Sequence, residues 1–205
     1  MVPALAATMM IAAVGVSFLL YNNNYLRYNP VFERTITHQR FDKLITATYN
    51  MEDISTMERV YRWVAGIQMV KDKPMMGFGP GTFYSTYEAY TVTSFQTYVS
   101  DNPEKSTVHN YFLLIFIEQG MVGFLIFISL CIAVLVLGER TYHKLTKAED
   151  KVAVMAAMLS YCIILLLNTI NDMIETDKVG SFFFICMAML INLDLANRRE
   201  RIVGS

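Results

Sequence analysis

The chain has 205 residues, of which 54% are hydrophobic and 17% are charged, and its formal net charge is −1. Globular domains in water seldom combine so much apolar with so little charged sequence, so a typical soluble domain is excluded. No basic run is long enough to bind nucleic acid, and no such partner is predicted.

Long blocks without charge predict about four transmembrane helices, because about 20 apolar residues span a hydrocarbon core of about 30 Å. The predicted spans are residues 2–21, 121–138, 152–171 and 179–197. The sequence therefore predicts an all-α integral membrane protein. We expect a single membrane domain over residues 1–205, with a large loop over residues 22–110 that contains short amphipathic helices.

The charges of the short loops orient these helices. Residues 139–151 and 198–201 are rich in Lys and Arg, whereas residues 172–178 hold three acidic residues and one lysine. The positive-inside rule puts the basic segments in the cytoplasm, which leaves both termini inside and residues 22–110 outside. The first span lacks the basic flank and cleavage site of a signal peptide, so an uncleaved helix is expected. Its abrupt start is typical of the tail of a longer protein.

Two elements are predicted in the first part of the outer loop. Apolar residues at helical spacing predict an amphipathic helix over residues 55–73, which Pro74 ends. The following MMGFGPGTF, residues 75–83, predicts a tight irregular turn. No strand precedes its glycines and no Gly-Lys-Ser/Thr follows, so a nucleotide-binding loop is rejected. Six aromatic residues between positions 82 and 98 form either a belt at the membrane surface or platforms for sugar rings.

The approach to the second span is longer than a membrane crossing requires. A straight helix over residues 108–138 would measure about 46 Å, too long for a bilayer crossed near its normal. Gly120 offers a break. We therefore predict a short surface helix over residues 108–119 that leads into the span, which places His109 outside the bilayer or at its interface.

Three stretches in this loop form a recognisable series: ERVYRW, PMMGFGPGTF and VHNYFLLIFIEQGMVG. Together they resemble the C-terminal half of the O-antigen ligase and polymerase family of bacterial envelope glycan enzymes. The family pattern has an Arg four residues before a Trp, a glycine-rich turn, a His-Asn pair, and Glu-x-Gly-x-x-Gly. The corresponding residues here are Arg59 and Trp63, Pro74 to Phe83, His109 and Asn110, and Glu118, Gly120 and Gly123. The resemblance covers roughly residues 30–140.

The resemblance implies a multi-pass protein of the bacterial inner membrane that transfers a glycan on the periplasmic side. The donor would be an undecaprenyl diphosphate-linked glycan, and the acceptor a sugar hydroxyl of a glycolipid or of another glycan. No metal or cofactor is implied. The expected catalytic residues are His109, as general base, and Arg59. The expected substrate-binding residues are Arg34, Trp63, Asn110 and Glu118.

General chemistry agrees with these roles. A neutral imidazole, with a pKa near 6.5, can accept the proton of a sugar hydroxyl, and guanidinium groups can stabilise a departing diphosphate. Structural roles remain open for the same residues. His109 could be an ordinary surface residue, Arg59 could stack on Trp63, Asn110 could only cap a helix, and Glu118 could bind backbone. No metal site is predicted, because the three histidines are far apart in the sequence.

Two further functions compete with the enzyme. Family members usually have more spans than the four predicted here, so the chain could be a truncated, non-catalytic membrane protein that retains the family's C-terminal half. It could equally be active only with a second membrane subunit. A transporter subunit is a weaker hypothesis, because the predicted spans are poor in ionisable residues.

Overall fold

A computed structural model describes residues 54–91 and 107–203, together with Met10, Val14, Ser17, Phe18 and Tyr21. The described residues form helices and turns, and no strand occurs among them. The two described ranges contain five α-helices: α1 (Ile54–Asp72), α2 (Phe83–Tyr87), α3 (Tyr111–Lys144), α4 (Ala148–Leu167) and α5 (Asp177–Val203). Short 3₁₀ turns occupy Glu88–Tyr90 and Met173–Glu175. The all-α prediction is confirmed for this part of the chain.

Three of the described helices are long and apolar enough to cross a membrane: α3, α4 and the Asp177–Glu200 part of α5. They pack against one another around a shared apolar core, in which Tyr161 of α4 stacks on Phe183 of α5 with ring centroids 4.9 Å apart. Three of the four predicted spans fall on these helices. The prediction for residues 2–21 lies outside the described residues, apart from the five named above.

The third predicted span is too long at its C-terminal end, because α4 ends at Leu167 and not at residue 171. Asn168 is fully buried, and its side chain turns the backbone. The amide Nδ2 donates to the Ile164 carbonyl, while Oδ1 accepts from the Ile174 amide. An Asn that satisfies backbone groups on both sides of a turn competes with continuation of the helix.

Helix α3 is broken at Gly120, as its length predicted. Gly120 has φ 67° and ψ −168°, values that no helical residue adopts. The Met121 amide, freed by the break, donates to the Pro74 carbonyl over 2.8 Å. The carbonyls of Ile117 and Glu118 accept from the amides of Phe78 and Gly79. The glycine-rich turn is therefore docked in the helix break, where it satisfies backbone groups that a broken helix would leave unpaired.

The start of the predicted surface helix also needs correction, because α3 begins at Tyr111 and not near Val108. Asn110 is the N-cap, with its side-chain oxygen accepting from the Leu113 amide. Residues 107–110 form a turn ahead of the helix. His109 in this turn has φ 52°, the left-handed region, which ends any right-handed helix at that point.

A second apolar core joins α1 and α2 to the start of α3. Met69 of α1, Phe83 and Tyr87 of α2, and Leu114 and Ile117 of α3 are almost fully buried together. Phe83 and Tyr87 therefore serve as core residues, neither belt nor sugar platform, while Phe95 and Tyr98 lie outside the described residues. The helix predicted over residues 55–73 is confirmed as α1.

The three long helices have polar contacts at opposite ends. At one end Lys147 pairs with Glu200 at 2.7 Å, and the buried Asp194 pairs with Arg198 at 2.7 Å. Residues 168–176 contact residues 107–111 at the other end. Because α4 alone measures about 30 Å, these two groups of contacts are a full membrane thickness apart.

This arrangement sharpens the topology prediction. Reporters fused after Asn50, after Asp101 and after Thr176 should all score periplasmic, whereas one fused after Lys147 should score cytoplasmic. The Thr176 fusion tests the structure directly, since its loop contacts the segment that carries His109. A cytoplasmic signal at Asp101 or Thr176 would contradict the orientation.

Candidate active site

His109 faces a carboxylate contributed by the loop between α4 and α5. Its Nδ1 lies 3.7 Å from Oδ1 of Asp172 and 3.5 Å from Oδ1 of Asn171. The His109 side chain is 29% exposed and that of Asp172 is 17% exposed, so the pair is open to a substrate on the histidine side. In unliganded enzymes such contacts are often long and tighten when substrate binds.

Asp172 is held in the ionised form. Burial raises the pKa of its carboxyl group, but the contacts with His109 and the Thr107 hydroxyl outweigh burial and leave the pKa below its usual value. The Thr107 hydroxyl donates to Oδ2 of Asp172, on the side of the carboxylate away from His109. The backbone amide of Asp172 donates to Oδ1 of Asn171 over 3.0 Å. At neutral pH a negative charge therefore faces Nδ1 of the imidazole.

Backbone contacts fix the two segments of this site against each other. The Tyr111 amide donates to the carbonyls of Asn168 and Asn171 over 2.9 and 3.3 Å. Asn110 adds a second connection, because its Nδ2 donates to the Thr169 carbonyl over 3.0 Å while its Oδ1 caps α3. Asn110 was predicted to bind substrate, and both the nitrogen and the oxygen of its side-chain amide bind backbone groups.

Two neighbouring side chains of α1 bind the turn of residues 107–110 at the two carbonyls just ahead of His109. Arg62, only 2% exposed, donates to the Thr107 carbonyl over 2.7 Å. Trp63 Nε1 donates to the Val108 carbonyl over 3.0 Å. The guanidinium of Arg62 also lies 5.9 Å from the centre of the Tyr87 ring, a favourable cation–π distance. Trp63 was predicted to bind substrate, and its N–H is engaged with the backbone.

Glu118 binds backbone at the glycine-rich turn. Its Oε2 accepts from the Gly81 amide over 2.9 Å and its Oε1 from the Phe83 amide over 3.0 Å, and the residue is 7% exposed. The sequence left two roles open for Glu118, binding of substrate and binding of backbone, and these contacts correspond to the second. The amides that could cradle a phosphate group on this turn are occupied by a carboxylate of the protein itself.

Arg59 lies on α1, three residues before Arg62, and is half-buried. Residues three apart on a helix are neighbours on its surface, so Arg59 and the residues that hold the His109 turn share one region of α1. Arg34, the second predicted phosphate ligand, lies outside the described residues. The structure therefore brings His109, Asn110 and Trp63 into one contact network, and it places Glu118 at the turn beside it.

Asp172 and Asn171 are the residues that the sequence did not reveal as part of this site. Asp172 lies in the short acidic loop of residues 172–178 that was used only to orient the helices, and Asn171 was assigned to the end of the third predicted span. The available signal was topological: the positive-inside rule put this loop on the same side as His109, and a bundle of short-looped helices brings such loops together. A contact 63 residues apart in the chain could not be derived from local spacing.

Chemically, a histidine that faces a carboxylate can act as a general base. A carboxylate that faces Nδ1 favours the tautomer with the proton on that atom, which leaves the Nε2 lone pair to accept a proton. The same carboxylate would stabilise an imidazolium formed by proton transfer to Nε2. The acidic groups of this loop lie on the side of the histidine: Asp172 faces the imidazole, and burial and the nearby Glu118 and Asp172 raise the pKa of Glu175. An anionic substrate group must therefore be neutralised from another element.

In the described part of the chain, the fold and this site define an all-helical membrane protein with a His–Asp pair at one end of its long apolar helices. A family model described as O-Antigen ligase matches residues 2–128, more than half of the chain. The chain belongs to the O-antigen ligase family, a family of membrane glycan ligases and polymerases that act on lipid-linked glycans. Comparison with curated proteins and with solved structures gives no match.

Proposed function

We propose that the protein is an O-antigen ligase-like glycosyltransferase of the bacterial inner membrane. It moves a glycan from undecaprenyl diphosphate to a sugar hydroxyl of a glycolipid or glycan acceptor, on the periplasmic face. The observation that carries this proposal is the His109–Asp172 pair, because an activated base is what a weakly nucleophilic sugar hydroxyl requires.

In this reaction Nε2 of His109 removes the proton from the acceptor hydroxyl as its oxygen attacks the anomeric carbon of the donor sugar. The bond between that carbon and the diphosphate oxygen breaks, and the diphosphate leaves with its electron pair. Asp172 keeps the imidazole oriented and balances its positive charge. The lipid tail of the donor stays in the bilayer beside the part of α3 that follows the break at Gly120.

The negative charge of the donor diphosphate requires cationic side chains, and Arg59 of α1 is the proposed ligand among the described residues. Arg59 is half-buried, so its guanidinium can reach an external anion while its stem packs on the protein. A planar guanidinium donates two parallel hydrogen bonds to phosphate oxygens and stabilises the charge of the leaving group. Arg34 is the proposed second ligand, from the first part of the outer loop.

Replacing Asp172 with asparagine tests the carrying observation. Asn preserves the size of the side chain but removes the charge, so His109 loses both its orientation and the stabilisation of its imidazolium. We expect transfer of glycan from the carrier to the acceptor to slow by about 10-fold or more, since replacing the carboxylate that orients a general-base histidine by its amide can cost up to about 10⁴ in kcat. Transfer is measured in membranes that contain the full chain and the products of its neighbouring genes.

The matched control is Asp177→Asn, an exposed acid five residues further along at the start of α5. It changes the net charge by the same amount and should leave the rate unchanged. Equal activity of Asp172→Asn and the parent would remove the orienting role. Absence of transfer by the parent, with all neighbours present, would instead favour a non-catalytic membrane protein.

Arg59→Lys tests donor binding. Lysine keeps the positive charge and loses the planar fork, so bidentate binding of the diphosphate is lost. We expect a weaker affinity for the lipid-linked donor, seen as a raised KM for the donor with the KM for the acceptor unchanged. Arg140→Lys, an exposed arginine near the far end of α3, is the control. A parental donor KM for Arg59→Lys would show that Arg59 only packs on α1.

A further inference from the structure

Thr107 is the point at which three elements of the outer region meet. Its carbonyl accepts from Arg62 of α1, and its hydroxyl donates to Asp172 in the loop after α4. The same hydroxyl oxygen lies 3.4 Å from the His109 amide, within hydrogen-bonding range. Thr107, which lies just ahead of α3, thus connects α1 to both members of the His–Asp pair.

Consecutive carbonyls ahead of His109 are bound by consecutive side chains of one helix. Arg62 and Trp63 diverge by about 100° around α1, so they approach the segment from two sides. The carbonyls of Thr107 and Val108 are therefore both fixed, and Val108 is fully buried. The backbone must then turn at His109, which adopts φ 52°. Non-glycine residues in that region cost free energy and persist only where neighbouring contacts hold them.

We propose that Arg62, Trp63 and Thr107 form a positioning clamp, which holds His109 in its left-handed conformation with Nδ1 towards Asp172. This inference rests on the proposed function, in which His109 is the base. None of the three residues needs to touch a substrate in this role. Arg62 is a buried cation engaged with protein groups, which separates it from Arg59 one turn earlier, the proposed ligand of the diphosphate.

The clamp also relates the two substrates to each other. A helix is a rigid element, and α1 carries both Arg59 and the two donors that hold the His109 turn. The distance between the bound diphosphate and the base is then set by α1. Misplacement by about 1 Å of a reacting group can cost about 100-fold in rate, so this distance has direct consequences for turnover.

The test removes single hydrogen bonds with little change of shape. Thr107→Val deletes the hydroxyl and keeps the volume, and Trp63→Phe deletes the N–H and keeps an aromatic ring. We expect both to lower kcat by about 10–100-fold with the donor KM within about twofold of the parent. Thr107→Ser restores the hydroxyl and should recover most of the rate. Thr176→Val is the control, since that exposed hydroxyl donates to the Met173 carbonyl and, within the described residues, to no group of the His109 turn.

A second measurement follows the segment itself. Hydrogen exchange of the backbone amides of residues 107–111, measured by mass spectrometry on the full chain in nanodiscs, should accelerate in Thr107→Val and Trp63→Phe and stay parental in Thr176→Val. Faster exchange in Thr107→Val and Trp63→Phe together with a parental kcat would overturn the clamp. Parental exchange together with a parental kcat would overturn it as well. If His109→Ala itself transferred glycan normally, the proposed function would fail and the clamp with it. Loss of activity in His109→Ala beside full activity in Thr107→Val would refute the clamp alone.

Discussion

His109→Ala should abolish glycan transfer. The substitution removes the proposed general base for the acceptor hydroxyl, and water in its place is a far weaker base. Loss of one general base costs about 10²–10⁴ in rate, which brings the reaction below detection in most assays of carrier-linked glycans. The Asp172 carboxylate cannot replace the imidazole, because its pKa is held below its usual value and it is correspondingly less basic.

The measurement compares glycan transfer and the amount of protein in the membrane for the same cells, so that a folding defect is recognised. His143→Ala is the matched control, an exposed histidine near the C-terminal end of α3, far from the turn that holds His109. It should transfer at the parental rate. If His109→Ala accumulates normally and transfers glycan like the parent, His109 is not the base.

His109→Ala also has a structural consequence that separates it from the clamp variants. The left-handed φ of residue 109 is imposed by contacts of Thr107 and Val108, which the substitution leaves in place. Histidine and alanine both have a Cβ atom and both bear the cost of about 1–2 kcal/mol at that φ, so the substitution adds little to it. We therefore expect a folded, inactive protein.

Features that depend on length and local pattern could be predicted from the sequence. The break at Gly120 followed from the mismatch between the length of an unbroken helix and the thickness of a bilayer. The helix before Pro74 followed from apolar spacing. Three of the predicted spans coincide with α3, α4 and α5, because about 20 uncharged residues leave a chain few alternatives in a membrane.

Features that depend on contacts between distant segments could not be predicted from the sequence. The helix after His109 begins three residues later than predicted, because Arg62 and Trp63 hold the preceding turn from 45 positions away. Asp172 joined the site for the same kind of reason. Its partners Thr107 and His109 lie more than 60 residues earlier in the chain, and nothing in the local sequence distinguishes it from the other acids of its loop.

Glu118 shows how a sequence motif can mark a structural device within a functional region. The spacing of Glu118, Gly120 and the glycines of residues 77–81 resembles a family signature, and these residues contact one another. Two amides of the turn bind the Glu118 carboxylate, while its backbone carbonyl accepts from a third. The motif thus connects the glycine-rich turn to α3 at its break. The same turn follows α1, the helix whose Arg62 and Trp63 hold the segment ahead of His109.

Gly120→Ala should destabilise the protein strongly, because Gly120 lies at the break where the glycine-rich turn contacts α3. A Cβ atom there would lie 2.3 Å from the Met75 carbonyl oxygen and 2.6 Å from the Met76 amide nitrogen, both backbone atoms of the docked turn. The φ of 67° adds about 1–2 kcal/mol for any residue with a Cβ. Relief of the contact requires the turn to move off the helix, which costs a further 1–3 kcal/mol or so, as overpacking usually does.

Gly81→Ala separates these two costs. Gly81 has a comparable φ of 72°, but nothing lies within 4 Å of its added Cβ. It should therefore lose only about 1–2 kcal/mol, while Gly120→Ala loses roughly 2–5 kcal/mol. Thermal unfolding of the purified chains in one detergent measures the difference. Because the turn also binds Glu118 and lies beside the second apolar core, which joins α1 and α2 to α3, Gly120→Ala should lower glycan transfer even at temperatures where it remains folded. Equal unfolding temperatures for the two variants would mean that the turn is not docked in the break.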